Sequence, residues 1–480
     1  VTEGWPLFNT RQTFATVAGF FDVQESTPRT NFEELAYLGW ESIISGIPYP
    51  LTFNLVVGNS VLSSDVEPST IANYSKDWKL QDGLTQWNYV WSPKNTNISF
   101  EIEYIVFISR RKPNVGATQL RVTPRGGNYN ASVIDLLDGR SAQRSQLVKK
   151  EVHPVIPQIS VGIHPDGLPN VTAYIVSTAN VSNGYTHEFS RRMVSSENKL
   201  TIGQEWDVGL VDGETAVFQK FLGVASSDKF KSPAMTAKNC SSIAARSGWE
   251  ADLSANTKAW NALMQRNLIA DYRDPTTGKI PSSPLFIEKL QAAAVVDRFI
   301  SLINLLPEDG TGLNDVGVSP TGLASDSYGG MIFWDQDLWI YPTIAATTPE
   351  YALQIPKSRV KLYPQAKRNA QMPYVKNEDP KYDFDAEAVL YAWMNGRYGN
   401  ATATGPAKDY QYHLNTDIAL SMLQTRRITG NEKMFEKEFW PVVKSVAHTV
   451  VTLLQRDGKG WSVFNATDPD EYAVRIFHLR

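Results

Sequence analysis

Residues 331–342 read MIFWDQDLWIYP and set Phe333, Trp334, Trp339 and Tyr341 around two carboxylates, Asp335 and Asp337. Aromatic faces beside carboxylates suit a sugar. The C–H face of a pyranose stacks on an indole, and its hydroxyls donate to a carboxylate. The same pattern fits a buried aromatic segment in which Asp335 or Asp337 caps a helix. Tyr391–Gly399 reads YAWMNGRYG, where Trp393 is either a second stacking platform or an aromatic helix end, and Arg397 is a candidate hydroxyl donor. Asp409–Asp417 reads DYQYHLNTD and brings His413, Asn415 and Asp417 close together. His413 could bind a hydroxyl, while Asn415 or Thr416 could cap a helix starting near Asp417. His413 with Asp417 lacks a third ligand, so no metal is expected. Asn465–Ala473, NATDPDEYA, crowds Asp468, Asp470 and Glu471 into one turn. Repulsion or partial burial there raises one carboxyl pKa and keeps a proton available at about pH 5–7. A general acid acting on a glycosidic oxygen needs that proton. A solvated acidic turn is the other reading.

These segments need a scaffold. Residues 1–225 read as strands: LTFNLVV at 51–57, SFEIEYIVFIS at 99–109, QLRVT at 119–123, VTAYIVS at 171–177 and TAVFQKFL at 215–222. Asp-Gly, Asn-Gly and Gly-Gly turn signals separate them, which predicts an antiparallel β-sandwich. Residues 226–282 read as a helical linker, with Trp249, Leu253, Trp260, Leu263 and Met264 at helical spacing. Residues 283–480 turn helical. The segment 284–306 is apolar on more than one face, which predicts a helix buried on most sides. Further helices are expected at 364–371, 386–393, 414–429 and 432–455, with Pro441 kinking or splitting the last. Sequential helices joined by long loops predict an α/α barrel or toroid with its site at one mouth. The fold class is therefore α+β and multidomain.

Basic and acidic residues are balanced, 46 against 50 of 480, which argues against a nucleic-acid partner bound by bulk charge. No apolar run is long enough to span a bilayer. A single cysteine, Cys240, permits no intrachain disulfide. Glycosylation sequons begin at Asn73, Asn97, Asn130, Asn170, Asn180, Asn239, Asn400 and Asn465. About half as many would arise by chance, so a secreted, cell-wall or vacuolar glycoprotein is expected. Neither a cofactor nor a metal is called for. The oligomeric state is left open, with a homodimer allowed.

Taken together, the segments 4–9 (GWPLFN), 18–22 (AGFFD), 30–32 (TNF), FWDQDLWIYP, YAWMNGRYGNATATGP through DYQYHLNTDIA, and the terminal DPDEYA resemble glycoside hydrolase family 65. The amino-terminal segments look like its fungal acid trehalase branch. The resemblance implies a β-sandwich, a helical linker and an (α/α)6 catalytic barrel. It implies that Trp334 and Asp335 hold the non-reducing glucose in the −1 subsite, which leaves Asp337, Trp339 and Tyr341 to be read as supporting structure. It implies that Glu471 is the general acid of an inverting hydrolysis of α,α-trehalose, and that no cofactor takes part. An inverting disaccharide phosphorylase and a non-catalytic sugar-binding remnant are the alternatives. The family pattern continues after Asp-Glu-Tyr-Ala with an Asn-His-containing run, whereas residues 474–480 read VRIFHLR. The family's Lys-Gln segment and its base carboxylate are missing, so the expectation is a partial barrel and an inactive 480-residue chain.

Overall fold

Alternating apolar residues in the first half of the chain form strands because every second side chain can face a common core. In this computed structural model the described residues are 14–25, 40–94, 96–181, 191–266, 270–284, 286–309, 312–323, 327–372, 383–400, 411–458, 460–463 and 466. Two compact units result. One comprises Val1–Val17 with Ser45–Gln265, and the other comprises Ala18–Ile44 with Arg266–Arg480.

In the first unit the strands are β1 (Tyr49–Val57), β2 (Ser60–Leu62), β3 (Ile71–Lys79), β4 (Leu84–Trp91), β5 (Ser99–Ile108), β6 (Val115–Arg125) and β7 (Tyr129–Asp138). They continue with β8 (Ser145–Val152), β9 (Gln158–Pro165), β10 (Ala173–Asn180), β11 (Arg192–Val194), β12 (Ile202–Leu210) and β13 (Ala216–Ser226). An eight-stranded sheet runs β8-β9-β10-β13-β6-β5-β4-β3, and a five-stranded sheet runs β11-β12-β7-β1-β2. Between them lie Trp91, Phe100, Ile102, Leu120, Val122 and Phe218 from the larger sheet and Phe53, Leu55, Val133, Trp206 and Val208 from the smaller. The expected antiparallel β domain is present.

Two helices, α1 (Pro233–Ser247) and α2 (Trp249–Gln265), fall in the segment read as a linker. They pack on the outer face of the eight-stranded sheet, where Ala244 and Trp249 meet Phe107, Val115, Ala117 and Phe221. Gly223 makes this approach possible, since a Cβ there would lie 1.9 Å from the Ala237 carbonyl oxygen. Asn256 of α2 accepts from the Arg110 amide at 2.9 Å and donates to the Asp82 carbonyl at 2.8 Å.

An ion pair crosses the sandwich interior. Lys220 and Asp135 have no exposed side-chain surface and meet at 2.6 Å. Lys220 Nζ also donates to the carbonyls of Thr52 and Leu136, at 2.9 and 3.1 Å. Asp135 accepts in addition from Ser177 and Gln204, at 2.9 Å each. All three ammonium protons are used, so the desolvation of both charges is offset by direct bonds.

The second unit is helical: α3 (Phe286–Ile303), α4 (Tyr341–Thr347), α5 (Gln354–Ala370), α6 (His413–Thr429) and α7 (Trp440–Leu453). Wide π turns at Gln336–Ile340 and Phe435–Phe439 lead into α4 and α7. Its core joins Leu414, Ile418 and Met422 of α6 to Ala366 of α5, Val389, Tyr391, Phe435, Phe439 and Val442. Several expectations are corrected here. Helix α5 begins ten residues before Pro364, which sits inside it rather than at its start. Residues 386–393 are not helical, because their amides are claimed from elsewhere. Val389 donates to Thr449 Oγ1 at 2.9 Å, Leu390 to the Ala366 carbonyl at 2.9 Å and Tyr391 to Asn415 Oδ1 at 3.0 Å. The helix expected to run to 455 stops at Leu453, and a hairpin of Leu454–Asp457 with Gly460–Val463 follows. Pro441 lies in the first turn of α7, just past the π turn. Among the described residues α3 buries only Phe299 and Leu302, not most of its surface, and Phe286, Leu290 and Ile300 stay exposed. No helix among the described residues is long and apolar enough to cross a membrane.

Removing one partner of the sandwich ion pair strands the other charge. Lys220→Met is expected to cost about 3–5 kcal/mol in urea unfolding, whereas Asp135→Leu/Lys220→Met recovers most of that loss.

Candidate active site

The aromatic-acidic stretch is held at both ends. Before it, Tyr328, Gly329 and Gly330 take positive φ values of 54°, 58° and 65°. A Cβ at Gly330 would lie 2.7 Å from Ile44 Cβ, so the chain needs glycine where it passes the arm Ala18–Ile44. Tyr328 has a side chain and pays for its left-handed conformation, the kind of local strain that gathers at functional sites. Ile332 then exchanges backbone hydrogen bonds with Asn395, at 2.9 and 3.1 Å. That bridge ties the FWDQD segment to the YAWMNGRYG segment.

After Trp334 the chain enters the π turn, with the Trp334 carbonyl accepting from Asp337 and Leu338 at 2.9 and 3.1 Å. The wide turn carries Asp337 inward and leaves Trp339 61% exposed. Asp337 meets Arg359 of α5, and neither side chain has exposed surface. The guanidinium donates to Asp337 Oδ2 through Nε and Nη2, at 3.0 and 2.6 Å, and Nη2 also donates to the Phe333 carbonyl at 2.8 Å. Burial pushes the Asp337 carboxyl pKa up and the Arg359 charge opposes that shift. Gln336 is buried and accepts from the Val318 amide at 2.9 Å. Tyr341 is buried, and its hydroxyl meets Thr425 at 2.5 Å. Asp337 and Tyr341 are thus structural, whereas the exposed Trp339 is not buried support.

With its neighbours fixed, Trp334 stands half-buried between two rings. The His413 ring meets it edge-on with centroids 5.0 Å apart, and Trp339 lies tilted at 5.7 Å. Asp335 is half-buried beside it, and desolvation raises its carboxyl pKa. It accepts no capping bond for the turn it precedes. His413 opens α6 and is held on both ring nitrogens, by Asp417 at 2.8 Å and by Gln411. Because α6 begins at His413, Asn415 and Thr416 lie inside its first turn and not at a cap. Asn415 instead accepts from the Tyr391 amide. No cluster that could hold a metal occurs among the described residues.

Trp393 sits in the same cluster as Trp334 but is buried against Met331, Phe333 and Met394, edge-on to Phe333 at 5.3 Å. Its buried indole N–H has no protein acceptor among the described residues. The ring therefore offers a donor edge more than an open face. Arg397 is engaged by the arm: its amide donates to Ser42 Oγ at 3.1 Å and its Nη1 to the Gly19 carbonyl at 3.4 Å. Glu471, with Asp468 and Asp470, lies outside the described residues. The structure thus gathers Trp334, Asp335, Trp393 and His413, and ties Arg397 to the amino-terminal arm. Arg359 escaped the sequence reading. Its one signal is an arginine at i+4 from Ile355, on the stripe of α5 that otherwise buries Ile355, Ser358 and Ala366.

A β domain followed by a helical domain that sets a half-buried Trp334 beside a half-buried carboxylate is the make-up of a carbohydrate-active enzyme. The chain belongs to glycosyl hydrolase family 65: residues 1–263 match its N-terminal domain and residues 302–478 its central catalytic domain. It is 35% identical to the acid trehalase of Emericella nidulans, over 99% of this chain and 46% of that protein. It is also 35% identical to the cell wall acid trehalase of Arthroderma benhamiae, over 98% of this chain and 45% of that one. The chain thus spans about half the length of the curated relatives it matches. Among solved structures, a putative kojibiose phosphorylase from the human microbiome superposes with a TM-score of 0.76 at 13% identity, covering 96% of this chain and 56% of that one. At that identity the likeness is one of fold.

Arg359→Lys keeps the charge but loses the fork that serves Asp337 and the Phe333 carbonyl together. It is expected to lower stability by about 2 kcal/mol in urea unfolding and to weaken sugar binding in calorimetry. A variant equal to wild type in both would refute the bracing role.

Proposed function

We propose that the full-length protein hydrolyses α,α-trehalose to glucose outside the plasma membrane, as a secreted or cell-wall glycoprotein. The observation that carries this reading is the half-buried Trp334–Asp335 pair, braced from behind by Arg359. It occurs in a chain that aligns over nearly its whole length with acid trehalases. Relatives named as cell wall or periplasmic/secreted acid trehalases of Candida albicans and Candida glabrata support the location. So does the exposure of the sequon residues Asn73, Asn97, Asn130, Asn170 and Asn239. Asn180 and Asn400 are half-buried, and Asn465 lies outside the described residues.

In this reading one glucose of the disaccharide lies on Trp334 while Asp335 accepts from its hydroxyls. Trp393 packs in the cluster behind Trp334, and the His413 ring stands edge-on beside it. Glu471 protonates the bridging oxygen, and a second carboxylate draws a proton from water on the opposite face of the ring. The attacking water inverts the anomeric centre, which requires about 6.5–9.5 Å between the two carboxyls. The phosphorylase reading draws only on a fold likeness at 13% identity.

In full-length protein, Glu471→Gln is expected to lower kcat by about 10²–10⁴ with trehalose affinity retained, as loss of a general acid does. Unchanged turnover would remove Glu471 from the mechanism, and glucose-1-phosphate formed in phosphate buffer would overturn hydrolysis. Asp335 gives a pH test. Its folded pKa is raised above 3.8, so the stability it contributes is present below pH 3.8 and lost as pH rises through the folded value. Sugar binding has the opposite sign, because the ionised carboxylate is the acceptor. Trehalose affinity is expected to fall on acidification at a pH above 3.8, and Asp335→Asn is expected to abolish that limb.

A further inference from the structure

Helices α1 and α2 cover only part of the outer face of the eight-stranded sheet. Beside them a cleft of about 400 Å3 opens across β3, β4, β5 and β6, lined by Asn73, Asn88, Glu101, Glu103, Arg121 and Thr123. Its size falls in the range of small-molecule clefts. Tyr89, Val90 and Ile102 add apolar surface to these polar groups, a mixture that suits a sugar: carboxylates accept from hydroxyl and amide hydrogens, and the guanidinium and side-chain amide donate. Arg121 pairs with Glu103 at 2.8 Å, which holds both groups along the cleft floor.

Asn73 reaches this cleft by an irregularity of the edge strand. Ala72 pairs with Val90 and Ser75 with Asn88, so Asn73 and Tyr74 together face the single residue Tyr89. At this bulge Asn73 has φ 53°, a left-handed conformation that asparagine tolerates. A bulge re-aims side chains, and here the asparagine of an Asn-Tyr-Ser sequon lines the cleft. The other exposed sequon residues, Asn97, Asn130, Asn170 and Asn239, do not line it.

We propose that this cleft seats the N-linked glycan carried by Asn73, an inference that rests on the secretory reading above. Attachment joins Asn73 Nδ2 to the anomeric carbon of an oligosaccharide carried on a lipid diphosphate. The nitrogen loses one proton and the lipid diphosphate leaves. The first two N-acetylglucosamine units then lie across β4 and β5. Their hydroxyls and amide N–H donate to Glu101 and Glu103, and the acetamide carbonyl accepts from Arg121 or Asn88. The seated sugar also guards an edge. Residues 72–79 of β3 are exposed, and an open strand edge is a template for pairing with other chains.

The test uses full-length protein secreted from a glycosylating host. An endoglycosidase that cuts between the first two N-acetylglucosamines is applied to native protein, and release is followed by peptide mapping. The glycan at Asn73 is expected to be released about tenfold more slowly than that at exposed Asn170, with the two rates equal after denaturation. Glu103→Ala/Arg121→Ala, which removes a half-exposed pair at small cost to stability, is expected to bring the Asn73 rate up to that of Asn170. Equal native rates at the two positions would overturn the seat. An unoccupied Asn73 beside an occupied Asn170 would overturn it while leaving secretion standing. Absence of glycan at both positions would remove the two readings together.

Discussion

A guanidinium with no exposed surface lies behind the aromatic-acidic stretch, and the candidate site depends on it. Arg359 neutralises Asp337 and holds the Phe333 carbonyl with the same fork. The bound residues flank Trp334 and Asp335, so one side chain of α5 determines where the indole and the free carboxylate emerge. Hydrophobic packing alone would leave the π turn free to rotate. A paired charge inside the unit has far fewer alternatives, because any other arrangement strands a buried ion. Of the two aspartates in FWDQD, one is used for position, and the other stays half-buried beside the indole.

The first unit uses the same device for another purpose. Lys220 and Asp135 join the two sheets from inside, with Ser177, Gln204 and two carbonyls completing the network. Strand faces lined only with branched aliphatic residues can slip by two residues with little change in burial. A buried ion pair with fixed partners permits one register. Its polar interior therefore specifies the sandwich more than it strengthens it.

The aromatic-carboxylate segment was legible because its chemistry is local: ring and carboxyl are neighbours in sequence. So was the β domain, whose period of two survives in strands such as β7 and β12. Arg359 was not legible, since its partner lies 22 residues away and an arginine on a helix ordinarily faces water. Residues 386–393 look helical in sequence for a similar reason. Their amides go to Thr449 and Asn415, 60 and 24 residues away, and no local propensity records that. The two helices on the outer sheet face look like a linker in sequence, because only the fold reveals that Gly223 makes room for α1.

The arm Ala18–Ile44 precedes the sandwich strands in sequence but belongs to the second unit. Ser42 meets the Arg397 amide across 355 residues of intervening chain. Translation at about 5–20 residues per second puts their appearance on the order of tens of seconds apart. Through that interval the sandwich can form around its own strands while the arm has no partner to dock on. Docking of this early segment is then a late step of assembly, one that waits on residues made 355 positions further along the chain.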